Sequence, residues 1–165
     1  MGYSTDFRGE VTLDKPLTPE HAAYLKAFSG TRRMKRDPEI AATLPDPIRE
    51  AAGLPVGEDG EFFVGNSNDN NFAQTDDKSV IEHNRPPKTQ PGLWCQWTAD
   101  PYNDEQLDQI GWDEGEKFYE YIKWMKYIIK NFIKPWGYVA NGSIEWRGES
   151  WDDTGIIEVK NNIVK

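Results

Sequence analysis

Four cationic side chains crowd the segment Thr31–Arg36 of a chain whose formal net charge is −9. An arginine guanidinium presents a planar fork of donors that suits phosphate and carboxylate groups. We therefore identify a candidate anion-binding set, which comprises Arg32, Arg33, Lys35, Arg36 and the later Arg85. The alternative is structural, because cations also stabilise the C-terminus of a preceding helix or pair with an acidic stretch such as residues 99–120.

Two residues, His83 and Glu145, are candidates for acid–base chemistry. His83 stands two residues before Arg85, and a histidine beside an arginine and carboxylates is a combination that small active sites use. Its alternative role is that of a loop residue bonded to backbone groups. Glu145 precedes three further carboxylates within residues 149–153, and paired carboxylates perform acid–base catalysis. Turns are also rich in aspartate for backbone reasons, which is the structural alternative.

The sequence contains no motif for binding a metal or a cofactor. The two histidines, His21 and His83, have no paired ligand spacing, and Cys95 is the only cysteine. Cys95 alternates with polar and aromatic neighbours in a strand-like segment, which favours a buried small residue over a nucleophile. Neither a P-loop nor a GxSxG elbow is present. We expect no metal and no cofactor.

A lysine stripe offers a route to nucleic acid. Four lysines recur at helical spacing beside an apolar face, and such a stripe can follow a phosphate backbone. The members are Lys123, Lys126, Lys130 and Lys134. The alternative is a solvated face of an amphipathic helix. Because the whole chain is acidic, we expect that nucleic acid is not the partner.

The elements that must position these residues begin with a strand and a helix. Residues 7–13 alternate, with Phe7, Val11 and Leu13 on one side, which predicts a strand with one buried face. Thr18 and Pro19 form a helix start, and Gly30 suits its end.

Residues 37–92 change character, since they hold seven of the eleven prolines. We expect this segment to be largely irregular. Within it we predict a short helix from Asp46 to Ala52, a short strand over residues 61–64 and a polar loop over residues 66–79. A second alternating strand follows at residues 93–97.

The second half predicts one long helix and a meander. Five apolar residues step by four, three, four and three after Asp113, which predicts a helix of roughly 33 Å ending near Lys134. The predicted buried face consists of Phe118, Ile122, Met125, Ile129 and Phe132. Asn141-Gly142 predicts a hairpin turn, and residues 151–154 predict another.

These elements, in the order β-α-(irregular)-β-α-β-β-β, indicate a single α+β domain over residues 1–165. We expect a mostly antiparallel sheet with two main helices on one face. Seven tryptophans argue against disorder throughout. The N-terminal residues lack an apolar signal-peptide core and no apolar run is long enough for a bilayer, so we expect a cytoplasmic protein without a membrane partner.

Charge is uneven along the chain. Residues 1–36 carry a net +3 and residues 37–165 a net −12. The simple interpretation is solubility, since a net-negative surface keeps small proteins apart. The alternative is an acidic face that imitates nucleic acid.

Six stretches of the chain form a recognisable pattern, namely GYSTDFRGE, PLTPEHAAYLKAF with TRRMKRD, LPDPIREAAGLPVG, QPGLWCQW, WDEGEKFYEYIKW and PWGYVANGSIEWRGE. These segments resemble a family of uncharacterised bacterial and phage proteins. The resemblance covers most of the chain. It implies a natural bacterial or viral protein that forms a single unit, and it implies no activity.

Three functional hypotheses follow. The first is a non-catalytic binding or inhibitory protein that recognises a protein or an anionic partner, since the aromatic excess suits interfaces. The second is a small enzyme for an anionic substrate, with the arginine set for binding and His83 or Glu145 for acid–base work. The third is a nucleic-acid-binding protein that uses the lysine stripe. The sequence leaves the oligomeric state open.

Overall fold

The computed structural model describes residues 2–65 and 77–165. The chain divides into two compact units. The sheet unit contains Met1–Leu17 and Gln96–Lys165, and the insert unit contains Thr18–Cys95. Each unit is built from residues that contact one another, so each has its own core.

The described residues contain eight strands and four α-helices. The strands are β1 (Thr5–Leu13), β2 (Lys35–Arg36), β3 (Val80–Glu82), β4 (Trp97–Ala99), β5 (Gln109–Trp112), β6 (Ala140–Gly148), β7 (Thr154–Lys160) and β8 (Ile163–Val164). The helices are α1 (Pro19–Ser29), α2 (Pro38–Ala41), α3 (Pro47–Ala51) and α4 (Tyr121–Ile128), with a 3₁₀ turn at Glu58–Gly60 and a π-helical segment at Ile129–Ile133.

The sheet unit is organised by one six-stranded antiparallel sheet in the order β4-β5-β1-β6-β7-β8. Strand β1 pairs with β6 along its whole length, from Thr5 opposite Gly148 to Leu13 opposite Ala140. Gly9 lies within this pairing at φ 103°, where an added Cβ would lie 2.7 Å from the Ser143 carbonyl oxygen. The close backbone approach therefore requires glycine.

Phe7 is the centre of an aromatic cluster on the inner side of the sheet. Its ring centroid lies 5.0 Å from Trp97, 5.3 Å from Trp112, 5.6 Å from Phe118 and 5.1 Å from Tyr121. Three of these contacts are edge-on, the arrangement that the quadrupoles of aromatic rings favour. The cluster joins strands β1, β4 and β5 to the residues that lead into α4.

The predicted Asn141-Gly142 hairpin is wrong. Both residues lie inside β6, where Asn141 faces Thr12 and Gly142 faces Val11 of β1. Because β1 pairs along all of β6, the chain continues straight through a dipeptide that would otherwise turn. The turn predicted over residues 151–154 is confirmed, since β6 ends at Gly148 and β7 begins at Thr154.

The long helix predicted from Asp113 is shorter than expected. Helix α4 begins at Tyr121, and the preceding segment has three residues with positive φ, Glu114, Lys117 and Glu120. That path turns Phe118 into the aromatic cluster, 5.0 Å from Trp97, before the helix starts. The local helical periodicity was overridden by this long-range packing.

The buried face of this helix is also shifted from the predicted one. Phe118, Met125, Ile129 and Phe132 are buried as predicted, but Ile122 is only half-buried. The buried residues recur every four positions, as Trp124, Ile128 and Phe132 and as Met125, Ile129 and Ile133. Four residues overshoot an α-helical turn by about 40°. The wider π-helical segment at Ile129–Ile133 offsets that drift and keeps the stripe on one side.

The insert unit is held by three short helices and a buried ion pair. Helix α1 begins at the predicted cap, where the Thr18 hydroxyl accepts a hydrogen bond from the His21 amide at 3.2 Å. Asp46 precedes α3 but does not cap it. Its buried carboxylate accepts hydrogen bonds from Arg49 Nε at 2.6 Å and from the Gly65 amide at 2.9 Å.

Two further strand predictions need correction. Residues 61–64 form no strand, because Phe62 and Phe63 instead bond back to Val56 and Gly60 around the 3₁₀ turn. The strand predicted at residues 93–97 begins only at Trp97. Residues 66–76 of the predicted loop 66–79 lie outside the described residues.

The α+β class and the mostly antiparallel sheet are confirmed. The predicted strand β1, helix α1 and short helix near Asp46 are present, the last of them as α3. The two strands predicted on either side of Asn141-Gly142 form the single strand β6, and β2, β3, β5, β8 and α2 were not predicted. Cys95 is fully buried, as predicted. The assignment of residues 1–165 to a single domain stays a prediction.

Replacing Phe7 by alanine should cost about 3–5 kcal/mol of unfolding free energy, because it removes a buried ring and leaves a cavity among four others. Urea denaturation measures this cost. Thr12→Ala, an exposed position on the same strand, is the control and should change stability by less than about 0.5 kcal/mol. Similar losses in both variants would mean that strand pairing, and not the aromatic cluster, dominates.

Ile128→Ala should cost about 2–5 kcal/mol because Ile128 is 1% exposed. Ile122→Ala should cost clearly less, since half-burial leaves little cavity to create. Lys126→Ala, on the exposed side of α4, should stay within about 0.5 kcal/mol. Chemical denaturation midpoints rank the three variants, and a larger loss at Ile122 than at Ile128 would contradict the observed helix face.

Candidate ligand-binding groove

The outer face of the sheet carries charged residues at the positions that alternate with the core. Because successive strand residues point to opposite sides, Phe7 faces inward while Asp6 and Arg8 face outward. On β6, Ile144 is buried while Glu145 and Arg147 are exposed. The same alternation that builds the core therefore fixes which charges face solvent.

The register between β1 and β6 places these four charges in a checkerboard. Asp6 pairs with Arg147, and Arg8 pairs with Glu145. Every charge thus has a charge of opposite sign as its neighbour, both along its own strand and across to the other strand. Opposed Cβ atoms in such pairs are about 4.5–5.5 Å apart, and same-face residues along one strand are about 7 Å apart.

A groove of about 500 Å³ lies over this checkerboard. Strand β7 extends the groove, because Thr154 pairs with Arg147 and Ile156 pairs with Glu145. Ile156 is a large apolar side chain that is 52% exposed. The lining residues are Asp6, Arg8, Glu145, Trp146, Arg147, Thr154, Gly155 and Ile156.

The four charged groups of the checkerboard are not engaged with protein partners. Across residues 2–65 and 77–165, no salt bridge or hydrogen bond occupies the side chain of Asp6, Arg8, Glu145 or Arg147. Their donors and acceptors are therefore not occupied by the described residues. A ligand can pair with these groups without first breaking an ion pair of the protein.

One end of the groove is held by the turn between β6 and β7. The Tyr3 hydroxyl donates to Asp153 Oδ2 at 2.6 Å, and the Trp146 indole donates to Asp153 Oδ1 at 3.4 Å. Glu149 accepts a hydrogen bond from the Ser4 amide. These contacts support the structural alternative for the carboxylates at residues 149–153.

The predicted anion-binding set is divided by the structure. Arg33 and Arg36 are each 1% exposed, so both guanidinium groups are buried in the insert unit. The Arg33 guanidinium lies 4.3 Å from the Phe28 ring centroid and donates to the carbonyl oxygens of Glu61 and Phe63. This side chain thus binds backbone oxygens of its own unit, and a ligand-binding role for Arg33 stays a prediction.

Arg36 is engaged in a similar way. Its guanidinium lies 4.3 Å from the Phe63 ring centroid and donates to Asp77 Oδ2 and Ser79 Oγ, both at 2.8 Å. Asp77 also accepts hydrogen bonds from the amide and the hydroxyl of Ser79. The charge of Arg36 is therefore compensated by Asp77 within the insert unit, and its predicted ligand-binding role stays a prediction.

Arg32, Lys35, His83 and Arg85 do lie together around the β2–β3 pair. Arg32 Nε donates to the His83 carbonyl oxygen at 3.1 Å, and the Lys35 amide donates to the Arg85 carbonyl oxygen at 2.8 Å. Arg32 also donates to Asn84 Oδ1 at 3.2 Å. These bonds tie the two segments to each other. An anion-binding role for Arg32, Lys35 and Arg85 stays a prediction.

The two acid–base candidates belong to different units. Glu145 lines the groove of the sheet unit, whereas His83 lies in the insert unit. The described residues contain no group of three potential metal ligands. Of the predicted site residues, only Glu145 reaches the groove.

Sequence reasoning missed Asp6, Arg8 and Arg147. The signal was available, because the alternation that predicted Phe7 as buried also places Asp6 and Arg8 on the opposite face. What the sequence lacked was the register of β1 against β6, which joins residues almost the whole chain apart.

Comparison with protein-family models, curated proteins and solved structures found no match to the chain. The resemblance to bacterial and phage proteins stays a prediction. In the described part of the chain, no helix has the length and apolar character needed to cross a membrane.

The Asp77 carboxylate gives the insert unit a testable pH dependence. Burial raises its pKa, but the hydrogen bonds from Ser79 and Arg36 outweigh burial and leave the pKa of Asp77 below its ordinary value. The stability that Asp77 contributes is therefore present above its unfolded pKa of about 3.9 and is lost as pH falls through the lower folded pKa.

Asp77→Asn should consequently lose stability at about pH 7 and lose little further stability on acidification, relative to the unsubstituted chain. Urea midpoints across the pH range measure this difference. Asp152→Asn, which removes an exposed carboxylate from the β6–β7 turn, is the control and should lose stability on acidification as the unsubstituted chain does. If Asp77→Asn loses as much stability on acidification as the unsubstituted chain, the Arg36 contact contributes nothing.

Proposed function

We propose that the chain is a non-catalytic binding protein and that the groove over β1, β6 and β7 is its ligand site. The observation that carries the proposal is the checkerboard of four charged side chains that lines the groove and has no hydrogen bond or salt bridge to another described residue. A concave site with convergent polar groups is the usual form of a binding site. The lining also includes Ile156, whose exposed apolar side chain adds apolar contact to the charges.

Electrostatics favour a partner over a simple anion at this site. Arg8 and Arg147 attract negative groups, but Asp6 and Glu145 lie beside them at similar distance and repel the same groups. A ligand of one sign meets as much repulsion as attraction, whereas complementary charge patterns provide specificity. A protein partner, with both signs on its surface, satisfies all four groups.

The enzyme alternative retains one supporting feature, which is the Glu145 carboxylate between two arginines. The nucleic-acid alternative retains the lysine stripe, whose four members are exposed along α4 and the segment after it. The nucleic-acid alternative uses a different surface from the groove, so variants can separate it from the binding proposal.

Affinity capture from bacterial lysate should retain a partner on the unsubstituted chain and lose it on the variant Arg8→Ala/Arg147→Ala. The loss is expected because the variant removes both cations from the groove. Mass spectrometry of the two captures gives the comparison, and Lys160→Ala is the matched control. Lys160 is an exposed cation on β7 that does not line the groove, so its variant should retain the partner.

The outcome that contradicts the proposal is an identical set of captured molecules for all three chains. Loss of captured material only in Lys126→Ala/Lys130→Ala, with steep weakening at higher salt, would instead support the nucleic-acid alternative.

A further inference from the structure

We propose that the occupant of the groove is an extended polypeptide segment in which acidic and basic side chains alternate at every second residue. This inference rests on the proposed function and names the chemistry of the ligand. It starts from the spacing of the four charges and from the order of their signs. Both are fixed by the register of β1 against β6.

Spacing is the first argument. Asp6 and Arg8 are two residues apart on β1, and Glu145 and Arg147 are two residues apart on β6, so unlike charges are about 7 Å apart along each strand. An extended peptide has the same repeat, since its side chains at i and i+2 point to one side. A peptide lying along the strands therefore presents one side chain to each charge of the row beneath it.

A small zwitterion fits less well. The ammonium and carboxylate groups of a free amino acid are only a few bonds apart, so they cannot span two charges of one strand. Such a molecule would contact one cross-strand pair and leave the other two charges unused. The groove extends over three strands, which is more than one such pair occupies.

The order of the signs is the second argument. Along β1 the order is Asp6 then Arg8, and the opposing β6 residues are Arg147 then Glu145. Both rows alternate, so a peptide with one type of charge meets repulsion at every second position in either row. A peptide with alternating charges finds an attractive partner at each position when it lies in the correct register and direction.

Strand β7 supplies a boundary to the same site. Thr154 follows Arg147 across the sheet and Ile156 follows Glu145, and neither carries a charge. The charged region is thus two strands wide and is flanked by one hydroxyl and one exposed apolar side chain. This width suits a single extended segment together with one or two uncharged side chains.

The test uses the full chain and fluorescein-labelled synthetic peptides with threonine at alternate positions. The positions between the threonines carry alternating glutamate and lysine, glutamate only, or lysine only. Fluorescence anisotropy at low and physiological salt measures binding. We expect the alternating peptide to bind at least tenfold more tightly than either uniform peptide, with the difference reduced by salt.

The double substitution Arg8→Glu/Glu145→Arg provides a variant with unchanged net charge. It leaves every cross-strand pair of opposite sign but converts the checkerboard into one acidic row on β1 and one basic row on β6. The alternating peptide should then lose at least tenfold in affinity. The two uniform peptides should gain affinity, each over the row of opposite sign.

A second exchange, Asp6→Arg/Arg147→Asp, creates a basic row on β1 and an acidic row on β6. It replaces the first variant in the test if that variant fails to fold. Glu158→Arg/Lys160→Glu, outside the groove lining on β7, is the matched control and should leave peptide preference unchanged. Circular dichroism confirms folding of each variant.

Three results overturn the inference. They are equal binding of the alternating and uniform peptides, no change of preference in the exchange variants, and no binding of any peptide at millimolar concentration. None of these results bears on the capture experiment with Arg8→Ala/Arg147→Ala. If the double variant loses the captured partner but the peptides show no selectivity, the groove remains the ligand site and only the alternating peptide is rejected.

Discussion

The burial of Phe7 against four other aromatic rings is the contact on which the sheet unit depends. Phe7 lies on β1, which pairs with both β5 and β6, so it connects the two halves of the sheet. Its partners come from β4, β5, the segment before α4 and the first residue of α4, all within 6 Å of the Phe7 ring centroid. Without this cluster, three separate segments of the chain would lose their common point of attachment.

The same contact also fixes the outer face. A slip of one residue between β1 and β6 would exchange the two faces of the strand, bringing Asp6 and Arg8 inward and Phe7 outward. The cost of burying two charges makes that slip prohibitive. The charge pattern of the groove is therefore as strongly specified as the core, although none of its side chains contributes to core packing.

Local patterns were sufficient for part of the fold. The alternation of β1 and the cap of α1 at Thr18 depend on neighbouring residues, and both were predictable. The start of α4 was not, because Phe118 is drawn into a cluster with Phe7 from the other end of the sequence. The hairpin turn predicted at Asn141-Gly142 was wrong for a related reason. Strand β1 pairs with both residues and keeps the chain extended through them.

The candidate site was harder to predict than the fold. Arg33 and Arg36 have the sequence character of surface anion binders, yet each covers a phenylalanine ring and bonds to carbonyl or carboxylate oxygens within the insert unit. Because Arg33 and Arg36 lie close together in the sequence, they were predicted to belong to one binding site. Conversely, Arg8 and Glu145 form a pair across 137 positions of the chain, and only the strand register brings them together.

The pairing of β1 with β6 has a consequence for synthesis of the chain. Thr5 pairs with Gly148, so the central strand β1 is translated long before its main partner β6. At about 5–20 residues per second, that interval is on the order of 7–30 s, during which both edges of β1 are open. Charged side chains on an exposed strand oppose its pairing with other chains, and Asp6 and Arg8 place such charges on β1. The charges that line the groove in the folded protein are therefore also the charges of this strand before its partner has been made.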